Sequence, residues 1–482
     1  SRGQCNPAYF TVGNLLRHLR RLCDSEGSTP RQLVEDAMFV TAGSCGPCRF
    51  GMYEAEYRLA LRNSGFDGFR VLLFQQTGGM KQAEGEGSGL EINATFVLRL
   101  LNAIMMGDLM NEVAYQLRPY ESEPGQVNRA FDLAMDHICT TFQTADERVG
   151  LSPGWWKFLP GKTRQKDGTK IVQQRWETFY VEMMAEACQI IADNVEVDFT
   201  RPKPVCKVTG EFWAQTTEGD GNFHMFEFLE SQGAEVLVET ITTWVNYLIN
   251  QARGKIADQK GLDYPKGVLG TVRGGLRHRW KLARIEIARH FLDREYERLR
   301  RALGGTAHKQ VCQLELQRMG HPYYNSKAAG GEGHLEVAKN IYYANKSLAH
   351  MVMSLKPFGC MPSAQSDGAQ AAVTSHFPDM IYIPIETSGV GDVNAHSRAQ
   401  MALGEAKLKS KQEFQQCVKK SGYTIDQIRA YVAAHPELRK PFQKLPHYKG
   451  VVGRAANFVL YVGGLMKKDT AWVAADEQKA AV

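Results

Sequence analysis

The chain has 482 residues, 43% hydrophobic and 23% charged, with a formal net charge of +6. At roughly 150 residues per domain, this length predicts about two to four domains with substantial cores. The charge is small for the length, so it points at most to phosphates or an acidic partner and gives no reason to expect nucleic acid.

No apolar run reaches the ~18 residues of a membrane span. The opening Ser1-Arg2-Gly3-Gln4-Cys5 has no apolar signal core. A cytoplasmic location is expected, where the ten cysteines serve as buried thiols, metal ligands or redox groups rather than as disulfides. The chain begins without Met and directly on a motif-like stretch, so a processed, trimmed or upstream-encoded start is expected.

Short apolar β-branched runs alternate with helical stretches, the pattern of a parallel α/β fold. Residues 37–42 read as a buried strand, glycines and Pro47 break it, and a helix follows over 49–64. Residues 69–74 form the next strand, completing a βαβ unit whose first loop carries Cys45-Gly46-Pro47-Cys48. Residues 95–145 read as helical, and Pro202 and Pro204 set a boundary at 196–204. Beyond it, 205–210 is a short strand, 211–222 a polar Gly-rich loop, 223–232 a helix and 234–238 a strand. Residues 240–304 are mostly helical. Their arginines from Arg273 to Arg301 read as a solvated helix face rather than a dock for an acidic partner. A helix over 334–354, a loop at 357–362, a helix near 365–376, a strand at 380–385 and a helix over 394–411 follow, then a basic helical tail to 482.

In open α/β sheets, ligands collect at loops leaving the carboxyl ends of strands. Three distinctive segments fall there: TAGSCGPCRFG (41–51), TGEFWAQTTEGDGN (209–222) and KPFGCMPSAQSDG (356–368). Thiolates two residues apart face one metal centre, and a following helix lowers the thiol pKa and favours an anionic iron–sulfur cluster. Cys-Gly-Pro-Cys is also a thiol–disulfide redox pair, although Ser44 stands where thioredoxins have Trp. The plainer reading is two buried thiols in a turn. Zinc would want a second close pair, and no second CxxC occurs. Cys360 and Cys5 lie between Pro and Gly residues in rigid loops, whereas Cys is elsewhere often a small buried hydrophobe.

Glu211 and Glu218 are candidate general acids or bases, and Gly46, Gly359, Gly219 and Gly221 candidate backbone contacts to a cofactor. A helix-capping loop competes with that reading. Gly330-Gly331-Glu332-Gly333 before a helix suits an anion nest or a plain turn. No GxxxxGK[ST] pattern occurs, so no ATP site is expected on this chain.

GQCNPAYFTVGNL (3–15), AGSCGPCRFGMYEAEYR (42–58), GFDGFRVLLFQQTGG (65–79), GEFWAQTTEGDGN (210–222) and KPFGCMPS (356–363) resemble the large acyl-CoA dehydratase activase-related proteins. Those are similar in turn to the cluster-binding subunits of 2-hydroxyacyl-CoA dehydratases and benzoyl-CoA reductases. The matching stretches run from residue 3 to about residue 411. The resemblance implies two Rossmann-like α/β lobes with parallel sheets (1–200 and 201–411) and a helical extension (412–482). It also implies a cluster between the lobes and a homo- or hetero-oligomer fed by an ATP-hydrolysing activase with its own [4Fe–4S] cluster. Carried over by motif, Cys45, Cys48 and Cys360 are ligands, with Cys5 as the fourth.

The expected function is an iron–sulfur reductase component that reduces a difficult substrate or relays electrons. Four thiolates close a [4Fe–4S] cluster and favour relay over substrate binding at an open iron. A double-cubane [8Fe–9S] reductase, a Cys45/Cys48 thiol–disulfide oxidoreductase and a non-enzymatic activase-binding scaffold are the alternatives. Large relatives often carry activase modules on the same chain; here none is seen, which suggests a separate subunit or an incomplete chain.

Overall fold

The computed structural model describes residues 5–43, 48–75, 94–144, 173–262, 264, 267–328, 330–388 and 391–469. The first portion comprises α1 (Pro7–Glu26), α2 (Pro30–Asp36), β1 (Met38–Gly43), a 3-10 turn (Arg49–Met52) running into α3 (Tyr53–Asn63), and β2 (Arg70–Gln75). Thr29 and Gln32 form a reciprocal capping box that starts α2. The two strands pair in parallel from Met38–Arg70 to Gly43–Gln75. Three long helices follow: α4 (Ala94–Leu117), α5 (Gln126–Thr144) and α6 (Gln173–Asn194).

The second portion opens with β3 (Val205–Gly210), α7 (Phe212–Thr216), α8 (Met225–Ser231) and β4 (Glu235–Leu237). Next come α9 (Ile241–Asp258), α10 (Val268–Ala302), α11 (Gln313–Gly320) and α12 (Gly333–Asn345). Then come β5 (Met351–Pro357), α13 (Met361–His376), β6 (Ile381–Thr387) and α14 (Asp392–Ser421), and the described chain closes with α15 (Ile425–Ala434) and α16 (Arg454–Met466). The protein is thus mixed α/β and mostly helical, with parallel sheets of two and four strands. No described helix is long and apolar enough to cross a membrane.

Two expectations from sequence need correction. Residues 211–222 contain the short α7 and a 3-10 turn rather than loop alone. The helix expected over 334–354 ends at Asn345, and residues 351–357 form β5, buried along its whole length. In MVMSLKP, Met351, Met353 and Leu355 enter one core while Ser354 and Lys356 bond Glu336 from the other face, but this alternation is short and follows directly on a helical pattern, which hides it.

The four-stranded sheet has the order β4-β3-β5-β6. The chain therefore winds outward in one direction from β3 and in the other from β5, and the order reverses between these two strands. Its core joins Cys206, Val208, Met353 and Leu355 to one face of α14, whose Ala395, Ala399, Leu403 and Ala406 repeat at helical spacing. Farther along α14, Phe414 and Cys417 enter a separate helical core with α4, α5, α6, α10, α15 and α16. One 30-residue helix therefore ties the sheet to the helical body.

Gly210 ends β3 at φ +127°, and a Cβ there would lie 2.1 Å from the Leu355 carbonyl oxygen of β5. Gly210→Ala forces apart the strands flanking the switch point and strains a left-handed backbone. Urea denaturation is expected to register a loss of about 3 kcal/mol.

Candidate metal centre

The crevice between β3 and β5 opens at their carboxyl ends, the position at which doubly wound sheets hold ligands. Glu211 leaves β3 and Cys360 follows β5, with Gly359 (φ +77°) making the intervening turn. Cys360 is buried at 8% exposure and caps the N-terminus of α13. The amide of Glu211 donates to Leu355 O at 3.0 Å, which keeps the two strand ends in register.

The N-terminal segment docks on this loop. Asn6 N donates to Phe358 O at 2.9 Å, Asn6 Nδ2 donates to Thr387 O at 3.2 Å, and Phe358 N donates to the same Thr387 oxygen at 2.8 Å. Phe10 of α1 stacks on Trp213 of α7 with centroids 5.9 Å apart. This clamp holds Cys5 beside the β3 and β5 loops. Its buried Sγ lies 2.6 Å from the Tyr53 hydroxyl at the start of α3.

Cys48 caps the 3-10 turn leading into α3. A Cβ on Gly331 (φ +79°) would stand 3.8 Å from Cys48 Cβ and only 2.5 Å from Pro362 Cγ. The Gly330–Gly333 run is therefore a close crossing between the Cys48 and Cys360 loops, and it delivers Glu332 as the N-cap of α12. Cys5, Cys48, Cys360, Glu211 and Glu332 come from five separate stretches, each at the start of a helix or 3-10 turn. Exposed N-terminal amides and helix dipoles make such a convergence favourable for an anion.

Burial sets the protonation of the thiol-free part of the site as well as the thiols. It pushes the Cys360 thiol up, reinforced by Glu211, and the Cys5 thiol up against the opposing pull of its Tyr53 hydrogen bond. Burial likewise raises the Glu211 carboxyl despite amide donors from Ala214 and Trp213, and it raises the Glu332 carboxyl with Glu211 adding to the effect. Such thiols are poor nucleophiles on their own, because the thiolate is the reactive form. A bound cation changes this outright, since a coordinated thiol is deprotonated.

Beneath Cys360, Glu336 accepts from Lys356 Nζ at 2.9 Å, Ser354 Oγ at 2.5 Å and Ser366 Oγ at 2.8 Å. Lys356 also pairs with Asp367. This network locks β5 to α12 and α13 and fixes the platform from which Cys360 projects.

Of the sequence candidates, Cys5 lies on the segment docked to the Cys360 loop, Gly359 makes that loop's turn, Cys48 lies beside Gly331 and Glu211 follows β3 against Leu355, but the three thiols do not all come within 4.8 Å of one another. Cys45 and Gly46 lie outside the described residues. Glu218, Gly219 and Gly221 sit in a loop that folds onto itself. There Glu218 accepts from the Glu227 amide at 3.1 Å at the start of α8, Asn222 Oδ1 accepts from Gly219 N at 3.2 Å, and Gly221 packs against the Trp213 ring. Sequence reasoning missed Tyr53 and the Glu336–Lys356 network, and it flagged the glycines around Glu332 without the acid. The signal for Glu332 was its place as the residue opening a helix after two glycines.

His334, two residues along from Glu332, is 4% exposed, and burial holds its imidazole down at about 4. Its Nε2 has no hydrogen-bond partner among the described residues. The unfolded chain takes up this proton near pH ~6.5 and the folded chain only near 4. Stability is therefore full above the unfolded value and falls as pH drops through that window, by up to about 3 kcal/mol. His334→Gln is expected to flatten this part of the urea-denaturation profile.

Among the described residues, the only three Cys, His, Asp or Glu side chains with ligand atoms within 4.8 Å of one another are the exposed Glu218, His224 and Glu227. Cys5, Cys48 and Cys360 are more widely spread than ligands to a single ion. No family model, curated protein or solved structure matches the chain.

Proposed function

We propose that the chain is an iron–sulfur reductase component related to the acyl-CoA dehydratase activase-related proteins, holding a [4Fe–4S] cluster through Cys5, Cys45, Cys48 and Cys360. What supports this reading is that the segment carrying Cys5 docks on the Cys360 loop beside the β3–β5 switch point, and that the Gly330–Gly333 run lies against both the Cys48 and the Cys360 loops. In this reading the two sheets belong to two Rossmann-like lobes, and the cluster supplies low-potential electron storage delivered by a partner ATP-hydrolysing activase.

The chain's own residues have definable tasks. The starts of α13 and of the Arg49–Met52 turn are the helix ends whose dipoles would stabilise an anionic cluster there. Tyr53 orients Cys5 through their mutual hydrogen bond. Glu211 and Glu332 hold protons on their carboxyl oxygens beside Cys360, because burial disfavours two charges there. They are the groups from which a proton can follow an electron. Anaerobic reconstitution followed by dithionite reduction and EPR tests the reading. A reducible cluster signal that is absent from Cys48→Ser is expected; an EPR-silent, iron-free protein with a titratable thiol couple would replace this reading by thiol–disulfide exchange.

A further inference from the structure

A second cavity lies among α4, α9 and α10, lined by none of the cysteines, and has a volume of about 630 Å³. Leu98, Leu101, Val245, Ile249, Ile285 and Phe291 form much of its wall. Lys281 and Arg284, one turn apart on α10, are its only polar lining residues, and no acid or neutral polar side chain joins them. The volume falls within the ~300–1,000 Å³ range of small-molecule sites. A site built only for packing gains nothing from leaving such apolar surface open to water.

What marks Lys281 and Arg284 is their place on the wall of an otherwise apolar cavity. Four arginines of α10 are paired: Arg289 with Glu286 and Asp293, Arg298 with Glu295, and Arg300 and Arg301 with Glu297; Arg273, Arg277, Arg279 and Arg294 have no ion pair among the described residues. Lys281 and Arg284 have no ion-pair or hydrogen-bond partner among the described residues, and both are exposed. Unpaired positive charge beside an otherwise apolar wall matches one chemistry, an apolar chain ending in an anion.

The geometry points to a binding site for a long-chain carboxylic acid, its alkyl chain among α4, α9 and α10 and its carboxylate at Lys281 and Arg284. The guanidinium and ammonium receive the carboxylate in charge-assisted hydrogen bonds at the mouth, and the alkyl chain removes the apolar wall from water. The site does not depend on the cysteines, so it stands or falls independently of the proposed cluster.

The test uses the full chain and cis-parinaric acid, a fluorescent long-chain fatty acid. A saturable rise in probe fluorescence at one site per chain is expected, competed by palmitate and only weakly by its methyl ester. Lys281→Glu combined with Arg284→Glu is expected to weaken binding about tenfold. Ala288→Trp, which fills the mouth from a cavity-lining position of α10, is expected to abolish it, with circular dichroism unchanged in both variants. Absence of saturable binding, equal competition by acid and ester, or an Ala288→Trp chain that binds normally would overturn the assignment. So would capture only by anionic vesicles, which marks a membrane surface, or protection of the cavity by self-association in light scattering.

Discussion

Replacing Glu239 by alanine is expected to cost the fold about 3–5 kcal/mol. Glu239 is the shared counter-ion of two buried lysines, one on β3 and one on α12: Lys207 Nζ lies 2.9 Å and Lys339 Nζ 2.8 Å from the same carboxylate oxygen. All three side chains are nearly inaccessible. Burial alone would raise the Glu239 carboxyl, but Lys207 and then Lys339 outweigh it and hold it at about 2. The Val238 carbonyl accepts from Lys207 at 2.9 Å, and the Tyr343 ring lies 4.8 Å beneath that ammonium. Without Glu239 these groups leave two desolvated ammonium ions facing each other.

The pH dependence identifies the cause. Burial already lowers the Lys339 pKa, so the unfolded chain holds its proton to higher pH than the folded one does, and stability rises with pH in that range. Removing Glu239 deepens the depression. The deficit of Glu239→Ala in urea denaturation should therefore shrink toward alkaline pH. A triple replacement by Met and Leu, which removes every charge, should recover much of the loss. A pH-independent deficit would mean that Glu239 matters only as packing volume.

Cys360→Ser is expected to lower cluster occupancy at least about tenfold after reconstitution. Cys360 projects from the start of a 16-residue helix braced by Glu336, Lys356 and Ser366, so the fold fixes its position. A serine hydroxyl is a harder, less acidic donor than a thiol and does not suit iron–sulfur chemistry. Cys139→Ser, at an exposed helical position, is the control that should retain iron. Cys5→Ser should give an intermediate loss, because the Tyr53 hydroxyl can hold the serine in place.

Much of this arrangement was legible locally. The strands at β1, β2 and β3 announced themselves as short apolar runs bounded by Gly and Pro, and the loops holding Cys48 and Cys360 stood out through the same breakers. β5 did not, since its alternation is confined to Met353–Lys356 and follows directly on a helical pattern, and this hid the central partner of β3. The proximity of Cys5 to Cys360 was illegible for a different reason. It depends on Asn6 reaching Phe358 and Thr387, contacts between residues more than 350 positions apart. The Lys207–Glu239–Lys339 group likewise depends on β3, β4 and α12 meeting in space, and none of the three residues is conspicuous in its own segment.

The central claim is most directly tested by counting iron. The chain, reconstituted anaerobically with iron and sulfide and then desalted, should carry about four irons with matching acid-labile sulfide. A variant with Cys45, Cys48 and Cys360 all replaced by Ser should carry almost none while keeping its circular dichroism. An iron-free wild-type chain, or equal iron in the triple variant, would contradict the assignment of these cysteines as a cluster cradle.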